Sequence, residues 1–279
     1  MKKWLGLTPF ALYVLIFLAV PAVLAIGTGF FAADGSLTLD NFAKLTDPIV
    51  LGSFWATIWI SALTAGIGAL LGGLLAFALT GAPATSALRR AIDSAASVLA
   101  QFGGVMLAFA FIATIGIQGL VTVSLREWFG IDIFAEGVWL YQLPGLILPY
   151  LYFQVPLMVI VFLPAMEGLR REWAEASATL GGNSFTYWTR IAGPILAPSF
   201  LGSLLLLFAN AFSSYATAAA LISQGAQIVP LQIRSALISE TGASRANTAG
   251  ALALGMLLVM LIVMIGYSAL QRRAARWQR

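Results

Sequence analysis

Six long stretches of this chain contain no charged residue and are mostly apolar, and the charged positions are concentrated between them. Each stretch exceeds the roughly 20 residues that a helix needs to cross the hydrocarbon core of a bilayer. The charge-free stretches are 4–33, 48–88, 94–125, 137–166, 191–233 and 246–271. We therefore predict six transmembrane helices, at about 7–31, 51–79, 94–117, 143–166, 194–222 and 248–271.

The overall composition supports lipid as the solvent of this chain. Apolar residues make up 60% of the 279 residues and charged residues 9%, whereas soluble domains carry about 25% charged residues. Helices are favoured because backbone N–H and C=O groups find no water partner in the bilayer core. We predict an all-α integral membrane protein with a single transmembrane domain over 1–279.

The absence of Cys and His limits the chemistry of the chain. Without these residues there are no disulfides, no thiolate nucleophiles and few ligands for transition metals. We predict no catalytic residue, no metal site and no cofactor. The net charge of +4 lies outside the spans, so it does not indicate nucleic acid binding.

The distribution of Lys and Arg predicts the orientation of the chain, because cytoplasmic loops carry an excess of these residues. Four residues fall on one side of the membrane: Lys44, Arg126, Arg234 and Arg245. Eleven fall on the other side: Lys2, Lys3, Arg89, Arg90, Arg170, Arg171, Arg190, Arg272, Arg273, Arg276 and Arg279. Both termini are therefore predicted to be cytoplasmic.

The first span has a second interpretation as a secretory signal. Lys2 and Lys3 precede its apolar run, and Val23-Leu24-Ala25 is compatible with cleavage. The apolar run is longer than the 7–15 residues of a signal core. We expect an uncleaved membrane helix.

The segment 167–193 has the highest density of charge between any two predicted spans. Its first half has helical spacing of apolar and small residues, at Leu169, Trp173, Ala176 and Leu180. Gly181-Gly182 predicts a left-handed helix end, and Asn183 or Ser184 can cap a second short helix over 185–190. Two interpretations remain open: a connector that lies on the lipid surface, or a docking element for a soluble partner.

The same segment resembles the EAA loop of binding-protein-dependent ABC importer permeases. That pattern is Glu-Ala-Ala, three residues, Gly, nine residues, Ile, one residue, Leu, Pro. This chain has its spacing, with two small residues, Ser177 and Gly193, replacing the second Ala and the Leu. The matching positions are Glu175, Ala176, Ser177, Gly181, Ile191 and Pro194.

Two further stretches are similar to polyamine and aminophosphonate permeases. They are Asn210 to Thr217 and Pro230 to Arg234. The resemblance implies an ABC type I importer permease fold in a bacterial inner membrane, with a small polar solute as the cargo. Polyamines or aminophosphonates are favoured.

The resemblance also implies the partners of the chain. The 167–193 segment would be a coupling helix docked on a cytoplasmic ATPase dimer, with Glu175 offering a carboxylate and Gly181 providing the turn. A second permease subunit and an extracytoplasmic substrate-binding protein would complete the transporter, and the long first span favours a heterodimer. Since the chain has no Gly-rich phosphate loop, we expect ATP to be bound by the partner and this chain not to be an enzyme.

Four polar residues of the fifth predicted span are candidates for the translocation path. Asn210, Ser213, Ser214 and Thr217 recur every three or four residues, which places them on one helical stripe. Such a stripe either lines a wet cavity or supplies hydrogen bonds between helices. Prolines in the fourth span likewise indicate either a gate or a bent packing helix, and we interpret Gly66, Gly68, Gly72 and Gly73 as packing residues.

Two other classes of membrane protein compete with this interpretation. A stand-alone channel or secondary carrier often places ionisable residues within its spans, and none is predicted here. An intramembrane enzyme would need a nucleophile with a base, or metal ligands, which this composition does not supply.

Overall fold

A computed structural model describes residues 7–32, 34–83, 85–222, 228–238 and 243–275, and the side chains of 243–246 and 272–275 are outside the description. Lys2, Lys3, Arg276 and Arg279 therefore lie outside the described residues, as do the side chains of Arg245, Arg272 and Arg273. Within these described ranges, six helical stretches are long and apolar enough to cross a membrane: Thr8–Phe30, Pro48–Thr80, Gly104–Phe129, Leu143–Glu167, Ser184–Phe212 and Asn247–Gln271. We call them spans 1 to 6. The predicted all-α membrane fold is confirmed.

Shorter helices and breaks connect or subdivide these stretches. Span 1 contains a π-helical turn, Leu15–Ala19, and span 3 consists of Gly104–Ile115 and Leu120–Phe129. The last helix extends over Ala243–Ala275. The remaining helical segments are Asp40–Ala43, Lys44–Thr46, Ala87–Gln101, Trp139–Tyr141, Arg171–Thr179, Ala216–Leu221 and Val229–Ile238.

The third span begins ten residues later than the predicted 94–117. A separate amphipathic helix, Ala87–Gln101, comes first, and Ser86 caps its N-terminus by accepting a hydrogen bond from the Arg89 N–H. This helix ends before Gly103-Gly104, where Gly104 has a φ of +69°. A left-handed conformation is available to Gly at little cost, so the chain turns here although no charged residue marks the position.

The chain divides into two compact units. One comprises Met1–Ala56 and Ala226–Leu261, and the other Thr57–Gly225 and Ile262–Arg279. Within the first unit, the backbones of Gly29 and Gly250 approach so closely that a Cβ on Gly29 would lie 2.7 Å from the N atom of Ala251. The Asn41 side chain donates to the carbonyl oxygens of Gly29 and Phe31, at 3.1 and 2.8 Å, and so fixes the end of span 1.

Span 4 forms the centre of the second unit. Tyr150, Gln154 and Met158 are fully buried, at the four-residue spacing of one helical face. Pro156 is also buried and lies inside the helix Ile147–Glu167 together with Pro164. These prolines therefore belong to a helix that packs against its neighbours along much of its length.

Span 2 presents small residues to span 4. A Cβ on Gly72 would lie 2.6 Å from the carbonyl oxygen of Val155, and one on Gly68 would lie 3.0 Å from the Gln154 side chain. Small residues allow helix backbones to approach closely in membranes. Gly66 was predicted to act in the same way, but a Cβ there would meet nothing within 4 Å. Gly66 therefore makes no such contact within this chain.

We expect Gly72→Ala to destabilise the protein and Gly66→Ala to leave it unchanged. The added methyl group of the first variant must displace the span 4 backbone, an overpacking that typically costs about 1–3 kcal/mol. Thermal unfolding of the two purified variants in the same detergent measures the difference. Equal melting temperatures would contradict the close contact of spans 2 and 4.

Candidate functional site

The 167–193 segment starts at the last residue of span 4 and folds as two helices around a glycine turn. Arg171–Thr179 forms the first helix, and Leu180 is the residue at its end. Gly181 has a φ of +78°. Its N–H donates to the Ala178 carbonyl at 3.0 Å, and the Gly182 N–H donates to the Ser177 carbonyl at 2.8 Å. This pair of bonds is the Schellman arrangement of a helix end, as the sequence predicted.

Ser177 lies beneath this turn. Its exposed fraction is 7%, and a Cβ on Gly182 would approach its Oγ atom to 2.6 Å. The contact between residues 177 and 182 therefore has room only for small residues at both positions. Ser177 replaces the second Ala of the resembled pattern, and its size is compatible with the close contact.

The second helix of the segment begins at Asn183. The Asn183 Oδ1 atom accepts a hydrogen bond from the Thr186 N–H at 2.9 Å, which satisfies one of the free donors at a helix start. The sequence predicted a short helix that stops near residue 190 and a new span from Pro194. The structure instead has one continuous helical stretch, Ser184–Phe212.

A π-helical turn, Trp188–Ala192, explains this continuity. Proline lacks an N–H, and its ring collides with the carbonyl four residues earlier. In the wider turn, the Gly193 N–H donates to the carbonyl of Trp188, five residues back. Pro194 follows directly and is accommodated without ending the helix, and Ile191 lies inside the turn.

Three exposed side chains lie within six residues of Gly181 along the chain. Leu180 is 88% exposed and Phe185 is 75% exposed. The Glu175 carboxylate accepts from the exposed Arg171 at 3.1 Å, a surface pair of a kind that contributes about 0–1 kcal/mol. The sequence predicted helical spacing for Leu180 and Ala176, and both residues are exposed, with Leu180 just past the helix end at Thr179. Phe185 was not among the candidate site residues, although a large apolar residue three positions after Gly182 is a signal that the sequence contains.

The structure does not keep the four path candidates on one helical stripe. The helix of span 5 ends at Phe212, and a new helix begins at Ala216. Asn210 and Ser213 are exposed and Ser214 is half-buried, whereas Thr217 is 1% exposed and packs inside the unit. The predicted common face is therefore wrong, and Thr217 does not share the surface of Asn210.

The break in span 5 has partners for its backbone. The Ser213 Oγ donates to the Ala209 carbonyl at 2.9 Å, and the Tyr150 hydroxyl donates to the Ser214 carbonyl at 3.2 Å. Serine side chains compete with helical hydrogen bonds in this way. The Ser213-Ser214 pair was the sequence signal for the break, but the role of Tyr150 required the fold.

A buried hydrogen bond also links spans 2 and 4. The Gln154 Nε2 donates to Thr64 Oγ1 at 3.0 Å, and Thr64 Oγ1 donates to the Ile60 carbonyl at 2.7 Å. Both side chains are fully buried. Gln154 and Thr64 therefore form a hydrogen bond between two helices. This is the role that the sequence left as one of two alternatives for the polar residues of span 5.

Curated proteins similar to this chain are permeases of ABC transporters. A probable sulfate transport system permease protein, CysT of Zygnema circumcarinatum, is 24% identical over 238 residues, which cover 84% of this chain and 78% of the relative. The spermidine/putrescine transport system permease protein PotB of Haemophilus influenzae is 22% identical over 263 residues, which cover 91% of this chain and 89% of the relative. No protein-family model matches the chain.

A solved structure of a bacterial ABC transporter involved in the import of the acidic polysaccharide alginate decides the fold. Its chain matches with a TM-score of 0.75 and 19% identity, over 98% of this chain and 95% of that chain. This chain has the fold of an ABC importer permease. The predicted resemblance to binding-protein-dependent importer permeases is confirmed, and a polyamine permease is among the relatives. The relatives support a multi-pass membrane permease subunit of an ABC importer.

Gly193 of this chain stands where the EAA pattern has Leu. A Cβ at this position would lie 2.6 Å from the carbonyl oxygen of Trp188, which is closer than side-chain atoms can approach. The π-helical turn therefore needs Gly at 193.

We expect Gly193→Ala to lower the melting temperature of the protein, by the equivalent of about 1–3 kcal/mol. Gly73→Ala is the matched control, because a Cβ there would make ordinary contact with Phe200 at 3.5 Å. Thermal unfolding in detergent compares the two. A neutral Gly193→Ala would mean that the turn is not constrained in this way.

Proposed function

We propose that this permease forms half of the translocation path of an ATP-driven importer for a small polar solute. In this proposal the 167–193 segment docks on a cytoplasmic ATPase. The observation that carries the proposal is the exposure of Glu175, Leu180 and Phe185, all within six residues of the hydrogen-bonded turn at Gly181.

The chemistry of this surface supports a protein partner. The exposed turn that carries two large apolar side chains loses little backbone conformational entropy on docking, because hydrogen bonds already fix its backbone. Buried apolar anchors with a polar rim are typical of protein interfaces. Glu175 supplies the polar group, since its pairing with Arg171 is solvent-exposed and readily exchanged.

The proposed orientation places both termini and the 167–193 segment in the cytoplasm of a bacterium, with the chain in the inner membrane. Arg170, Arg171 and Arg190 belong to this segment, and Arg89 contacts Glu167 at its start. Cytoplasmic loops favour such clusters of basic residues. The sequence has no Gly-rich phosphate loop, so ATP hydrolysis is assigned to the partner ATPase dimer.

The proposed cargo is a polyamine or an aminophosphonate. The polyamine permease relative aligns over 91% of this chain, which supports this class of solute. Among the described residues, the charged side chains of the spans lie near their ends: Arg126, Glu127, Glu167 and Arg190. A path without fixed charge leaves the selection of the solute to an external binding protein. A second, related permease subunit completes the pore.

Glu175→Lys and Gly181→Asp are expected to abolish binding of the ATPase and to preserve membrane insertion. The first reverses the charge offered to the partner, and the second places a carboxylate and a Cβ on a turn with positive φ. Affinity purification of the tagged chain from its native membranes, followed by quantification of the ATPase, measures the effect.

The matched control for this charge reversal is Glu127→Lys, at the end of span 3 and far along the chain from the 167–193 segment. It should co-purify the ATPase like the wild type. Normal ATPase recovery with either test variant would refute docking through this segment. Solute transport by the purified chain without any ATPase would instead support a stand-alone carrier.

The binding protein that co-purifies with the complex is expected to bind spermidine, putrescine or 2-aminoethylphosphonate in preference to sulfate. Isothermal titration of the purified binding protein with each solute measures the preference. Maltose is the control for non-specific binding. Preferential binding of sulfate would overturn the substrate assignment and leave the docking proposal intact.

A further inference from the structure

Arg89 carries a buried guanidinium group near the start of the helix Ala87–Gln101. Its side chain is 6% exposed. A charged group out of contact with water is costly unless it is paired and hydrogen-bonded. Its Nε donates to the Asp93 carboxylate at 3.2 Å, Nη1 to the Leu79 carbonyl at 2.9 Å, and Nη2 to the Glu167 carboxylate.

The three acceptors belong to three different segments of the second unit. Leu79 lies in the last turn of span 2, Glu167 is the last residue of span 4, and Asp93 is one helical turn along from Arg89. The C-terminal ends of helices carry partial negative charge, so a cation is favoured at this point. The hydrogen bond to Glu167, opposed by desolvation, raises the pKa of Arg89 above its ordinary value. Arg89 is therefore charged throughout the physiological pH range.

The far end of the 167–193 segment contacts the same end of span 2. Trp188 packs edge-on against Phe77, with ring centroids 5.3 Å apart. Phe77 precedes Leu79 by two residues. The start of the segment is thus tied to span 2 through Arg89, and its end through an aromatic contact.

We propose that Arg89 is a positioning residue that holds the start of the 167–193 segment on span 2 and transmits movement of that segment to the membrane helices. The inference rests on the proposed function, because the movement it transmits is that of an ATPase-docked segment. In the absence of the guanidinium group, Glu167 and the Leu79 carbonyl lose their shared donor.

Arginine is suited to this position for a geometric reason. Its planar guanidinium presents donors in fixed, divergent directions, whereas lysine offers one nitrogen on a flexible stem. Arg89→Lys keeps the charge but cannot reach three separated acceptors in the same way. The adjacent Arg90 is exposed, so Arg90→Gln removes the same charge from the same helix without touching the contact.

The first experiment tests the anchor in the purified full chain, reconstituted in lipid nanodiscs without an ATPase. The sequence contains no Cys, so Thr80→Cys and Ala178→Cys provide two exposed thiols, to which spin labels are attached. Electron paramagnetic resonance measures the distribution of distances between them. Arg89→Gln and Glu167→Gln should broaden this distribution, and Arg90→Gln should leave it unchanged. An unchanged distribution in Arg89→Gln would overturn the proposal.

The second experiment tests transmission in the complete transporter, reconstituted with its ATPase, second permease and binding protein. We expect Arg89→Gln to assemble normally, while the stimulation of ATP hydrolysis by the loaded binding protein falls about 2- to 30-fold, the range for variants that alter coupling between sites. Glu167→Gln should behave alike, and the double variant should be no worse than either single one. Arg89→Lys should show a smaller loss.

The outcomes separate this inference from the proposed function. Wild-type stimulation in Arg89→Gln, or failure of that variant to bind the ATPase, would refute a positioning role. If the wild-type chain itself captures no ATPase, the proposed function fails, and the spin-label distances still report whether Arg89 anchors the segment.

Discussion

The core of a bilayer offers no water to backbone N–H and C=O groups, so every departure from a regular helix needs a partner inside the protein. This constraint accounts for the form of the irregular parts of the chain. The helix break after Phe212 occurs where the Ser213 hydroxyl and the Tyr150 hydroxyl donate to backbone carbonyls. Pro194 is tolerated inside span 5 because it follows a π-helical turn, in which the preceding Gly193 N–H donates to the Trp188 carbonyl.

The same solution occurs twice in the part of the chain that the structure describes. In span 1 the π-helical turn Leu15–Ala19 is followed by Val20-Pro21, and the Val20 N–H donates to the Leu15 carbonyl. In span 5 the turn Trp188–Ala192 is followed by Gly193-Pro194. The Gly193 N–H donates to the Trp188 carbonyl, which is also five residues back. In each case the wider turn keeps the helix continuous across a proline, which matters for a chain whose helices must cross a membrane. Such single-turn expansions are often found at functional positions.

The packing of span 2 against span 4 gives the 167–193 segment a firm base. Gly68 and Gly72 allow the two helices to approach, and the bond between Gln154 and Thr64 adds a directional contact at the same seam. Span 4 ends at Glu167, where the segment begins, and span 2 ends beside Arg89. A force applied at the glycine turn would therefore reach a tightly packed pair of helices rather than a flexible connector. This arrangement makes the segment suitable as a mechanical link.

Local properties of the sequence were enough to predict six spans, the glycine turn and a helix cap at Asn183 or Ser184. Span length depends on the number of apolar residues in a row, and the turn depends on the conformational freedom of Gly181, so both are written in consecutive residues. The late start of span 3 and the break in span 5 were not predicted, because both sites lie within long charge-free stretches. The serines at the second site were interpreted as part of a helical stripe.

Contacts between distant residues were decided by the tertiary structure alone. Arg89 could be counted as a positive charge from the sequence, but its partners Leu79 and Glu167 are brought together by the packing of two helices. The exposure of Leu180 and the burial of Thr217 likewise follow from where a helix ends and what packs against it. A pattern along one chain reports which residues share a helical face, and only the folded arrangement determines what that face meets.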